Sequence, residues 1–120
     1  MPEVTILFYR EGSEVPVLDW LEEQPEAAQD ICVAALERLA AFGHTLRRPR
    51  VENLGGGLWE LRAELGHVNY RILFFFYGQT AVVLAHGLTK ERRLAEADLN
   101  RARQRKTRFE ADPETLHIAW

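Results

Sequence analysis

The chain has 120 residues, 47% of them hydrophobic, with eight glycines and five prolines. That suits one packed domain and excludes wholesale disorder. The net charge of −3 conceals a division: residues 1–40 hold nine acids against two arginines, and residues 90–108 hold eight bases against three acids. No run approaches the ~20 apolar residues of a membrane span, and the opening residues lack the basic start and apolar stretch of a secretion signal. The lone Cys32 excludes an internal disulfide and a CxxC metal knuckle, so a cytoplasmic, reducing setting is expected.

In chain order, "VTILFYR" (4–10) reads as a short strand of β-branched and aromatic residues. Ser13 is placed to cap a first short helix, with Pro16 in its first turn and Val17, Leu18 and Leu21 on one side. A second helix is expected from Pro25 to Phe42: Ala28, Ile31, Cys32, Ala35, Leu39 and Phe42 keep helical spacing, and Gly43 follows to end it. The basic stretch "HTLRRPR" and the Gly55-Gly56-Gly57 triplet read as loop. Three strands follow, at 58–65, 67–77 and 80–88, joined by short turns at Gly66 and Gly78-Gln79. They suggest an antiparallel meander. A basic helix over 96–110 closes a single domain, residues 1–110, and 111–120 form a tail. The fold class is α+β: a small, twisted, mainly antiparallel sheet with two N-terminal helices on one face and a C-terminal helix.

Within "NYRILFFFY" (69–77), Arg71 interrupts an otherwise apolar strand. Alternation puts Asn69, Arg71, Leu73 and Phe75 on one face. With two-residue turns, position 60 pairs with 71 and 71 with 86, so Glu60, Arg71 and His86 form one row beside Arg62 and Asn69. That row is expected on an outward-facing, polar side of the sheet. Its plainest meaning is a cross-strand Glu60–Arg71 ion pair bracing the sheet. The basic helix is either a solvated surface or a surface for a polyanion or acidic partner.

The segments "LWELR", "NYRILFFFY" and "VVLAHGLTK", followed by a basic helix, resemble the HigB-type, phage-derived branch of the RelE/ParE toxin superfamily. The likeness covers roughly residues 4–106. It implies a small toxin of a type II toxin–antitoxin system that cleaves mRNA, on the ribosome in many members, and is silenced by a helix-turn-helix antitoxin. The family's sheet arginines fall on Arg62 and Arg71, and its lysine after the last strand on Lys90. Where many members carry a second lysine, this chain has Glu91, followed by Arg92 and Arg93. The tyrosine that some ribosome-dependent members carry near the last helix is absent.

Metal-free RNA cleavage by the ribose 2′-hydroxyl needs a base, cations for the phosphorane charge, and an acid for the leaving 5′-oxygen. Arg62, Arg71 and Lys90 suit the cationic part, since a guanidinium grips two phosphate oxygens. Glu60 is the candidate base and His86 the candidate acid. Arg92, Arg93, Asn69 and Phe75 are candidate RNA contacts, Phe75 by stacking on a base. No metal and no cofactor are expected: His44, His67 and His117 lack metal-ligand spacing and read as ordinary polar residues. Two alternatives keep the fold without catalysis. One is a ParE-like inhibitor of DNA gyrase; the other is a degenerate toxin acting only in an antitoxin–DNA complex.

Overall fold

In the computed structural model, which describes residues 3–47, 50–89 and 94–120, the opening β-branched run forms strand β1, Thr5–Tyr9. Pro16 begins helix α1, Pro16–Glu22, at a position whose N–H would have no helical partner anyway. Ser13 does not cap it. Val15 holds the cap position, and its N–H donates to Asp19 Oδ2 at 3.3 Å, so a carboxylate in the first turn supplies the acceptor. Helix α2, Glu26–Phe42, stops at Gly43, whose positive φ lets its N–H return to the Leu39 carbonyl. Ala28, Cys32, Ala35, Leu36 and Leu39 form its buried stripe. Phe42, expected on that stripe, is exposed.

Strand β2, Val51–Gly55, has no counterpart in the sequence reading, because "VENLG" is short, half polar and runs into the glycine triplet. The meander follows as expected: β3 (Leu58–Leu65), β4 (Val68–Tyr77) and β5 (Ala81–Thr89), then helix α3 (Glu96–Ala111). The tail supplies a further strand, β6 (His117–Ala119). The six strands make one sheet in the order β2-β3-β4-β5-β1-β6, antiparallel except where β1 lies parallel to β5. The class is α+β. No helix among the described residues is long and apolar enough to cross a membrane.

Both hairpin registers differ from expectation. Gly66 and His67 form the first turn, so Leu65 pairs with Val68 and Arg62 faces Arg71. This is a two-residue shift, and it leaves side chains on their expected faces. The second connection spans 78–80 and pairs Tyr77 with Ala81. That one-residue shift would turn the polar row inside out. A bulge corrects it: Phe74 pairs with Leu84 and Leu73 with His86, and Ala85 is the extra residue between. Beyond the bulge His86 shares the face of Leu73 and Arg71.

Helices α1 and α2 cover one face of the sheet around Ile6, Phe8, Leu61, Ile72, Phe74 and Leu84. The other face was expected to be open and polar, and it is not. Helix α3 packs on it, setting Ala102 and Phe109 against Leu58, Leu73, Phe75 and Val83. The reason lies in β4 and β5, which are apolar on both faces over "ILFFF" and "VVLA" and need two covering layers. Arg71 therefore lies inside the protein, not on its surface.

One close approach fixes where α1 sits. A Cβ on Gly87 would lie 2.4 Å from Trp20 Cε3, so only a bare backbone lets the indole rest on β5. Gly87→Ala should push the ring away and destabilise the fold by about 1–3 kcal/mol, as overpacking does. Urea denaturation measures this, and an unchanged midpoint would mean that the indole moves aside freely.

Candidate functional site: a carboxylate between two arginines

Glu60 on β3 is 1% exposed, and each of its oxygens is taken by a different arginine. Arg62 brings Nη2 to 2.6 Å and Nε to 3.1 Å of Oε1, while Arg71 Nη1 lies 3.3 Å from Oε2. Arg62 also reaches Glu52 Oε1 on β2 at 3.4 Å. The two arginines are cross-strand partners, which explains how they flank one carboxylate. Their exposures differ: Arg71 is 8% exposed, whereas the Arg62 side chain is 32% exposed. Arg71 Nε is buried and meets no acceptor among the described residues. Chemically this is an oxyanion held by two forks of donors, one sealed and one open to solvent.

His86 lies two strands from Glu60, because the row reads Glu60–Leu73–His86 instead of Glu60–Arg71–His86. Helix α3 engages both of its nitrogens. Nε2 is 2.9 Å from Asp98 Oδ1, and Nδ1 is 3.3 Å from Arg105 Nη1. Arginine can only donate, so Nδ1 accepts, Nε2 carries the proton, and the ring is neutral. Burial pushes the His86 pKa down, with Asp98 opposing and Arg105 reinforcing. The same Arg105 nitrogen donates to the Ala85 carbonyl at 2.7 Å, satisfying a group that the bulge takes out of the ladder.

Asn69 is half-buried opposite Glu64, near the open end of β3. Phe75 is 1% exposed, with Phe109 edge-on at 5.5 Å and Lys106 Nζ 5.8 Å from its ring centre. No ring face is left for a base, which corrects the stacking role expected for it. Lys90, Arg92 and Arg93 lie outside the described residues. Burial pushes the Cys32 thiol up to about 11, as suits a core residue. Among the described residues no group of three or more His, Cys, Asp and Glu side chains is gathered as a metal site would need.

Sequence reasoning missed Glu52, Asp98 and Arg105. Glu52 sits on the strand that pattern could not find. Asp98, Ala102, Arg105 and Phe109 share one helical stripe, so their common direction was readable once α3 was known to pack on the sheet.

Residues 19–107 match the phage-derived protein Gp49-like family (DUF891), well over half of the chain. The chain belongs to that family, one of RelE/ParE-like toxins. No curated protein is similar enough to count as a match.

Two predictions concern the charges. Glu60→Gln leaves the buried Arg71 without a counter-charge and should cost about 3–5 kcal/mol in urea denaturation. Replacing Glu60 and Arg71 together by methionine should recover most of that loss, and equal losses would deny that charge is the cause. For His86, the unfolded ring titrates near its ordinary value of 6.5 and the folded ring below it. The unfolded state thus binds more protons as pH falls from about 6.5 towards the folded value, and stability is lost across that window. Wild-type protein should lose up to about 1.4 kcal/mol per pH unit there beyond the loss of His86→Gln, as melting curves at several pH values will show.

Proposed function

We propose that this chain is the toxin of a type II toxin–antitoxin system, of the HigB kind, and that it cleaves mRNA by metal-free attack of the ribose 2′-hydroxyl. The observation that carries this reading is the Glu60 carboxylate gripped by Arg62 and Arg71 on one face of the sheet, in a RelE/ParE-like toxin family. A guanidinium pair that holds a carboxylate in this way also suits a phosphoryl group.

In this mechanism Arg62, the open member, receives the scissile phosphate and stabilises the charge of the phosphorane. Arg71 is the sealed positioning residue that holds Glu60 from behind. As phosphate displaces Glu60 from Arg62, the released Oε1 becomes the acceptor for the 2′-hydroxyl proton. Lys90, with Arg92 and Arg93, supplies further cations in the sequence after β5, and Asn69 contacts the RNA beside the site. His86, bound on both nitrogens to α3, serves as a positioning residue for that helix. The acid role expected for it from the sequence passes to solvent water, which protonates the leaving 5′-oxygen, because a proton held by Asp98 is poorly placed to reach it. The partners of this toxin are mRNA, free or on the ribosome, and a helix-turn-helix antitoxin that silences it.

A second reading keeps the toxin and removes the chemistry, leaving an inhibitor of a protein target such as DNA gyrase. What favours it is the depth of the Glu60–Arg71 pair, since a buried ion pair also works as a plain brace. Controlled expression with mapping of transcript 5′ ends separates the two. The nuclease reading expects new ends within minutes and at least a ~10²-fold loss of cutting in Arg62→Ala. Growth arrest with intact transcripts and relaxed plasmids would support the inhibitor instead.

A further inference from the structure

Strand β2 stops pairing with β3 at Val51–Leu61, and only the Arg62 N–H to Arg50 carbonyl bond, at 2.9 Å, continues the ladder. Past that point no described residue pairs with the edge of β3 on the β2 side. Between it and α2 lies a cleft of about 500 Å³, within the size range of small-ligand sites. Arg38 from α2, Arg50 from just before β2 and Arg62 from β3 all line it, against a single lining carboxylate, Glu64, among the described residues. Ile31 and Ala34 give it an apolar wall. Arg38 carries a buried Nε that meets no acceptor among the described residues. A buried donor in that state costs free energy until an acceptor arrives.

We propose that this cleft holds the nucleotide adjoining the phosphodiester at Arg62, in a single-stranded RNA. This rests on the nuclease reading above and extends it by one subsite. Three lining arginines against one carboxylate favour an oxyanion, and the volume far exceeds that of a lone phosphate. The apolar wall accommodates a sugar or base. Arg62 belongs to both places: it binds Glu60 and it lines the cleft. A strand with one phosphate on Arg62 can therefore rest its next phosphate on Arg38 and Arg50. Arg50, just before β2, thereby gains a role as a phosphate contact.

The test uses fluorescence anisotropy with the full chain and a labelled eight-nucleotide 2′-O-methyl RNA, which lacks the nucleophile and so reports binding alone. The double variant Arg38→Gln with Arg50→Gln should weaken binding at least tenfold. It should also reduce the slope of log affinity against log salt by about 0.7, as the loss of one neutralised phosphate on a single strand requires. Ala34→Phe fills the apolar side without changing charge, and should weaken binding with the slope unchanged. Wild-type affinity and slope in the double variant, or wild-type affinity in Ala34→Phe, would overturn the proposal. Unmodified RNA that binds through Arg38 and Arg50 but is never cut would uphold the cleft and remove the nuclease reading. Cutting that continues with affinity indifferent to both variants would do the reverse.

Discussion

Strands β4 and β5 are apolar on both faces, and water is a poor neighbour for either. Covering one face takes α1 and α2, and covering the other takes α3. Much of the local chemistry follows from that second cover. It seals Phe75 and brings Asp98 and Arg105 onto His86. It also makes the polar residues on that face buried groups that must satisfy one another. Arg71 would be an ordinary surface residue on a sheet with one bare side.

The Glu60 trio shows how such a face tolerates charge. Two cations share one anion in the interior, and the surplus positive charge sits on Arg62, which is partly exposed and has Glu52 as a second acceptor. A sealed anion with an open cation beside it is a pre-formed arrangement, because the guanidinium is oriented before any ligand arrives. The basic helix tells a complementary story. Arg105 is engaged inwardly with Ala85 and His86, Arg108 binds Glu11, and Lys106 binds Glu110. Several of the cations that gave residues 90–108 their strong charge thus already have protein partners, in keeping with the modest net charge of the whole chain.

Much of this architecture could be read from the residues. Helical spacing and Gly43 located α2 almost to the residue, and alternation with glycine turns located β3, β4 and β5. The grouping of Glu60, Arg62 and Arg71 on one face was legible because a two-residue error in register preserves side-chain parity. Three features were not legible. Strand β2 has too little apolar pattern to stand apart from a loop. The bulge at Ala85 is set by the length of the 78–80 connection and leaves no mark in composition. The burial of the polar face depended on a helix whose sequence is mostly charged, and its short stripe of Ala102 and Phe109 was too sparse to announce a packing surface.

The extra residue in β5 also makes that strand intolerant of indels. Removing Ala85 would rotate everything from His86 to Thr89 by half a pleat. The imidazole would then swing towards Trp20, and the bare backbone of Gly87 would swing towards α3. The indole's berth would vanish in the same step as the helix's hydrogen-bond partner. Length drift among natural variants should therefore collect in the surface connections and avoid this stretch, even though alanine is the least distinctive side chain in it.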